Sequence, residues 1–363
     1  MVFYAPVATL YRKSQGITVF QIAIIECIYM VLILFLEFPW GVIADKIGYK
    51  NTILISNSIY FLSKIIFWQA NSFSMFIFER ILLAFALSGQ SGCDSAFLYE
   101  SIDQKKANKV FGIWQSMGTL GILIASLSFT FLSNINYKSL GLLTVIAYSM
   151  ALFLSLFLKE PTKKKDNKKE KLSIKEAVNS FFNLPQQFFL FLIGSALLVE
   201  SNQTITVFLS QLQYTESGIS VSNMGYLYIL LTISEFASLF SHRLVTKLGQ
   251  NKTGNMLFLF GTIACFILSL FHNAILSVLG ILLLRIATSL FFPISMEIQN
   301  QQISKNRATI LSIYSIAMNI VSLIPNLLFG ISADYSIRIS MLLGCIFCFT
   351  GFICFNIWLR KKQ

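Results

Sequence analysis

Charge is what this chain has least of. Only 12% of its 363 residues are Asp, Glu, Lys or Arg, against 55% hydrophobic, and a soluble protein usually carries about 25% charged residues to clothe its surface. That scarcity excludes a water-soluble globular fold. Histidine is scarcer still: His242 and His272 are the only two, both at loop edges, so no histidine metal set can be assembled. The six cysteines (Cys27, Cys93, Cys265, Cys345, Cys348, Cys354) all fall in apolar stretches, where a thiol behaves as a small buried hydrophobe. Cys345 and Cys348 form a CxxC without a nearby His, Asp or Glu, which reads as packing and not as a metal or redox centre. There is no GxxxxGK[ST] loop and no HExxH, and the run from Gly89 to Cys93 lacks the final glycine of a nucleophile elbow. Without a nucleotide loop, any work must be driven by ion or solute gradients. No enzyme chemistry, cofactor or metal is expected.

What the chain has in abundance is long apolar runs. A bilayer core of roughly 30 Å needs about 20 apolar residues per helix, and eleven such stretches can be read: 19 to 43, 51 to 70, 73 to 97, 110 to 133, 139 to 158, 186 to 209, 223 to 241, 254 to 271, 275 to 296, 309 to 331 and 339 to 359. They are continuously apolar, without the alternation of barrel strands, so an all-α polytopic membrane protein is expected. Val2 to Tyr11 is apolar but too short to span, and it lacks the basic flank and cleavage site of a signal peptide. It reads as the outer end of a helix, the remnant of a first one.

The formal net charge of +12 is not a nucleic-acid signature, because the basic residues collect in alternate loops. One set holds Lys46 and Lys50; Lys105, Lys106 and Lys109; Lys159 with the cluster at 163 to 175; Arg243, Lys247 and Lys252; Lys305 and Arg307; and Arg360 to Lys362. The other holds only Arg12, Lys13, Lys138 and Arg338. The positive-inside rule puts the first set and the C-terminus in the cytoplasm of a bacterial-type inner membrane. The longest connection, 159 to 185, divides the chain into an N-terminal helix set (1 to 158) and a C-terminal one (186 to 363). Its lysines suit anionic headgroups, and Ser173 with Glu176 fits a capping box opening a short surface helix.

Between the first two complete helices stands Gly41-Val-Ile-Ala-Asp45-Lys46-Ile-Gly48-Tyr-Lys50. Two glycines, an acid and two bases at this spacing resemble the cytoplasmic signature of the major facilitator superfamily. Physically, Gly41 lets a neighbouring helix approach, Gly48 permits a tight turn, and the lysines sit where cytoplasmic cations belong. The resemblance implies two six-helix halves, here eleven complete helices plus the remnant. It also implies that Asp45 meets the positive end of a helix dipole in the other half, latching the cytoplasmic side. A degenerate copy follows in the second half, Leu244-Val-Thr246-Lys247-Leu-Gly249-Gln-Asn-Lys252, with Thr246 in place of the acid.

Ionisable groups inside a bilayer are costly and mark function. The candidates for proton or solute binding are Glu26, Arg80, Asp94, Glu200, Glu235 and Arg285. Arg80, Ala84, Leu87, Ser91 and Asp94 fall on one face of a continuous helix. Arg80 resembles the fourth-helix arginine that the superfamily associates with proton transfer. Glu37 and Glu79 lie nearer helix ends and read as interfacial charges, and Lys64 as a side chain that snorkels outward. Ser91, Gln115, Asn202 and Gln203 are candidate solute contacts.

These readings converge on a monomeric secondary transporter of a small molecule, working by alternating access with a proton or another coupling ion. Proton-coupled export comes first, although the fifth helix lacks the glycine-proline pairing of drug antiporters. Uptake of a sugar, peptide or other nutrient is the second reading. A non-transporting protein of immunity or receptor type is the third.

Overall fold

The computed structural model describes residues 1–91, 93–101, 107–131, 136–160, 186–302 and 307–362, and among these each of the eleven apolar stretches is largely helical. The basic cluster at 163 to 175 and the capping box at Ser173 lie outside the described residues. In chain order the helices are α1 (Ala8–Ser14), α2 (Val19–Ile47), α3 (Tyr49–Gln69), α4 (Phe73–Gln90), α5 (Cys93–Ser101), α6 (Ala107–Phe131) and α7 (Tyr137–Ser155). Then follow α8 (Gln186–Gln203), continued by a π-helical turn (Thr204–Leu209) into α9 (Ser210–Glu216), and α10 (Met224–Ser234), continued by a 3₁₀ segment (Glu235–Phe240) into α11 (Ser241–Leu248). Last come α12 (Gln250–Leu270), α13 (Ala274–Gln301), α14 (Arg307–Tyr335) and α15 (Ile337–Lys362).

Among the described residues nine helical segments are long and apolar enough to cross a membrane. The shortfall from eleven has a plain cause. The helix α3 carries Lys50, Asn51, Asn57 and Lys64 within 21 residues, and the apolar run of α6 is confined to Met117–Phe131. The outer surface is greasy, with Phe35, Phe131, Phe153, Phe157 and Leu239 all exposed, as lipid contact allows.

The chain forms two compact units, one of Met1–Asn167 with Val221–Ile229 and the other of Lys168–Ser220 with Leu230–Gln363. In the first, α4 packs on α2 and α3, and α7 packs on α3. The N-terminal segment is drawn into this core. Tyr4 stacks on Phe67 with ring centres 3.9 Å apart, and the Tyr11 hydroxyl donates to the Trp68 carbonyl at 3.1 Å. Close approach is set by Gly89, where a Cβ would fall on Ser56 Oγ and lie 3.1 Å from the Trp40 ring.

In the second unit α15 packs between α8 and α12, and α12 on α13. Gly194 of α8 and Gly351 of α15 make this possible. A Cβ on either would lie 2.9 Å from the other's carbonyl oxygen, the small-residue contact by which membrane helices gain dispersion energy. Phe191, Phe258, Phe291, Phe355 and Trp358 fill the core beside it.

The turn between α2 and α3 is repeated between α11 and α12. Gly48 has φ +89° and Gly249 φ +82°, in the region that favours glycine. Each donates its N–H back to the preceding helix, to Ala44 at 3.0 Å and Val245 at 2.8 Å. Each carbonyl then accepts a threonine hydroxyl four residues on, Thr52 and Thr253, both at 2.8 Å.

Candidate functional site

Five ionisable groups of α1 to α4 meet in one chain of contacts. Arg12 Nη1 donates to Glu26 Oε1 at 3.3 Å, and Arg80 Nη2 donates to the same oxygen. Arg80 Nε lies 3.8 Å from Glu79 Oε2, and Lys64 Nζ donates to Glu79 Oε1 at 3.3 Å and to the Tyr4 hydroxyl at 3.3 Å. Cations and carboxylates therefore alternate: Arg12, Glu26, Arg80, Glu79, Lys64. Each of the three cations also lies against an aromatic ring. Arg12 lies over Phe67 (5.7 Å) and Phe76 (5.9 Å), Lys64 over Tyr60 (5.1 Å), and Arg80 over Tyr29 (5.4 Å).

Three expectations change here. Lys64 does not snorkel, since it is 4% exposed, and Glu79 is no interfacial charge, since it is 1% exposed. Arg12, read as an outer-loop residue, is buried at 2%. The Lys64–Glu79 pair was within reach of the sequence, because the two lie seven or eight residues on either side of the α3–α4 turn and thus at the same depth. Arg12 carried no such signal, since its burial depends on α1 folding back onto Phe67 and Phe76.

The shared face running from Arg80 to Asp94 is also corrected. The helix α4 stops at Gln90, Ser91 turns out with ψ 121°, and α5 restarts at Cys93, so Arg80 and Asp94 sit on different helices. Asp94 lies beyond the Phe73–Gln90 span, and burial lifts its carboxyl to about 6.

At the signature loop, the backbones of Gly41, Asp45 and Lys46 belong to the last turns of α2. The side chains of Asp45, Glu37 and Gln115 lie outside those described. Lys46 is exposed. The anion found at this loop is Glu160, which follows α7. Its carboxylate accepts the backbone N–H of Tyr49 at 2.8 Å and of Lys50 at 2.7 Å, neutralising the positive end of α3. A side chain on Gly48 would come within 2.8 Å of Glu160 Oε1. Nothing in the spacing of the loop itself pointed to an acid 110 residues away.

The second unit holds a separate polar site. A cavity of about 310 Å³ is lined by Val199, Asn202, Gln203, Glu235, Ser238, Arg285, Thr288, Ser289 and Phe292. Arg285 Nη2 donates to Glu235 Oε1 within it. On the same helix as Asn202 and Gln203, Glu200 Oε1 accepts from Thr204 Oγ1 at 2.7 Å and from Asn326 Nδ2 at 3.0 Å. Of the residues expected from sequence, Asn202 and Gln203 of one helix and Glu235 and Arg285 of two others meet at this cavity, while Glu200 is not among its lining residues. Sequence had no means of naming Ser238, Thr288, Ser289 or Asn326, whose roles follow from which helix faces meet. The π-turn at Thr204–Leu209 directly follows Gln203, and such turns are frequent at functional sites.

Buried ion pairs in the first unit and a polar cavity in the second thus lie among apolar helices of membrane-crossing length, as a membrane transporter requires. Residues 1–324 match the profile of the Major Facilitator Superfamily, and the chain belongs to that family. The fold agrees with solved structures. The nucleoside transporter NupG aligns at TM-score 0.80 with 14% identity, covering 100% of this chain and 96% of that one. A bacterial homologue of the human lysosomal transporter Spinster, solved inward-facing and unoccupied, aligns at 0.75 with 15% identity, covering 99% and 94%. In sequence, a Bacillus subtilis (strain 168) protein named as a provisional niacin/nicotinamide transporter, NiaP, is 26% identical over 144 residues. That match spans 39% of this chain and 36% of the relative.

Proposed function

We propose that this chain imports a small polar solute, of the size and hydrogen-bonding character of a nucleoside or a pyridine acid or amide, by alternating access coupled to protons. The observation that carries the reading is the cavity of about 310 Å³ in the second unit, at the small end of ligand pockets. Amide groups from Asn202 and Gln203, hydroxyls from Ser238, Thr288 and Ser289, and the Glu235–Arg285 pair offer both donors and acceptors, while Phe292 offers a ring face. The named solutes of the similar proteins, nucleosides and niacin or nicotinamide, are metabolites, which favours import over the export of a small molecule expected from sequence. As part of the same proposal, the protein sits in a bacterial-type inner membrane with its C-terminus in the cytoplasm. The halves divide at 159 to 185, and Asp45 acts as the cytoplasmic latch.

Purified protein in proteoliposomes, given labelled uridine, nicotinate and nicotinamide with and without an imposed proton gradient, tests this directly. Gradient-dependent accumulation of at least one compound is expected, with Glu235→Gln and Arg285→Gln each lowering it by about tenfold, as loss of one charged contact predicts. Flux indifferent to the gradient would discard proton coupling. Extrusion in place of accumulation would reverse the direction, and no flux of any of the three would sink the solute class.

A further inference from the structure

The contact chain in the first unit is unbalanced: among the described side chains it contains Arg12, Arg80 and Lys64 but only Glu26 and Glu79, one cation more than carboxylates. A buried charge without a counterion is costly in a low-dielectric interior, and the two glutamates are already shared. Glu26 Oε1 serves both arginines, and Glu79 serves Arg80 and Lys64. A second observation points the same way. The buried Nε–H groups of Arg12 and Arg80 have no hydrogen-bond partner among the described residues, so both guanidinium groups retain donor capacity.

All three cations lie against aromatic rings, but Arg80 has the most exposed side chain, 16% against 2% for Arg12 and 4% for Lys64. It is therefore the cation that an entering anion can reach.

We propose that the Arg12–Glu26–Arg80–Glu79–Lys64 chain is a recognition site for the carboxylate of a monoanionic organic solute, which docks at Arg80 and supplies the missing negative charge. A planar carboxylate suits a guanidinium, which can donate two parallel N–H bonds to it. The inference rests on the transport reading above for its class of solute, choosing the acid over the amide, and it concerns a site of the first unit and not the cavity of the second.

The test is equilibrium binding of two isosteric pairs to purified protein in detergent: nicotinate against nicotinamide, and benzoate against benzamide. Each acid should bind at least about tenfold tighter than its amide, the discrimination one charged contact supplies. Lys64→Met balances the cluster and should abolish that preference. Lys64→Met with Glu79→Gln restores one excess cation and should bring it back, a recovery that a merely structural role for Lys64 would not produce. Glu79→Gln alone, with two excess cations, should bind acids at least as tightly as the parent.

Equal binding of acid and amide, no binding of either acid, or a Lys64→Met protein that keeps the preference would each overturn the proposal. So would failure of the monodisperse double variant to recover it. Displacement of the acids by low millimolar chloride would assign the charge to an inorganic anion and overturn the carboxylate reading. Transport without acid preference would leave the proposed function standing and remove this inference alone. Acid binding without flux would do the reverse.

Discussion

Glu26 is the carboxylate on which the largest single-residue effect is expected. It accepts from Arg12 and Arg80, so Glu26→Ala strands the Arg12 guanidinium in an apolar interior and leaves Arg80 with Glu79 alone. Breaking one buried pair costs about 3–5 kcal/mol, and a loss of that order should appear in denaturant unfolding in detergent. A decrease under about 1 kcal/mol would mean that water, not Glu26, solvates the two arginines. Asp94 makes a different prediction. Its carboxyl is raised from 3.8 to about 6, so between these values the folded protein binds more protons than the unfolded chain. Stability should therefore fall as pH rises through that window. Asp94→Asn cannot ionise and should flatten melting temperature against pH between 4 and 6. An unchanged slope would show that Asp94 is solvated.

Among elements, the contact between α8 and α15 depends on glycine at two places. A methyl on Gly351 would meet the Gly194 carbonyl at 2.9 Å and the Phe258 ring at 2.9 Å, and neither backbone nor core ring can move freely. Gly351→Ala should destabilise the protein by about 1–3 kcal/mol, the range for overpacking, whereas Gly118→Ala, with open space around it, should have little effect by the same measurement. Helix existence was legible from sequence because each stretch is apolar for about 20 residues, and that length has no other use. Helix interruption was not. The break at Ser91 has neither glycine nor proline at the turning residue itself, although Gly89 and Gly92 flank it, and the π-turn after Gln203 lies inside a continuous apolar stretch, so apolar periodicity ran through both.

For the molecule as a whole, orientation is the open prediction. With single cysteines at Lys168 and Ser336 on a cysteine-free background, a membrane-impermeant maleimide added to intact cells should label only Ser336→Cys, and both after permeabilisation. Labelling of Lys168→Cys from outside would invert the proposed topology, and with it the side on which Asp45 and Glu160 act.

The candidate site divides along the same line as the fold. Class, helical content and the signature turn followed from sequence alone. Bilayer thickness dictates the length of apolar runs, and Gly48 with its copy Gly249 announces a backbone conformation that other residues avoid. Tertiary structure alone decided which charges compensate which. Glu26 could have faced lipid, water or a partner, and only the return of α1 onto α2 placed Arg12 on it and only the packing of α4 on α2 placed Arg80 there. Ion pairing depends on distances of a few ångströms between residues 14 and 54 positions apart, and linear order does not encode such distances until helices have packed.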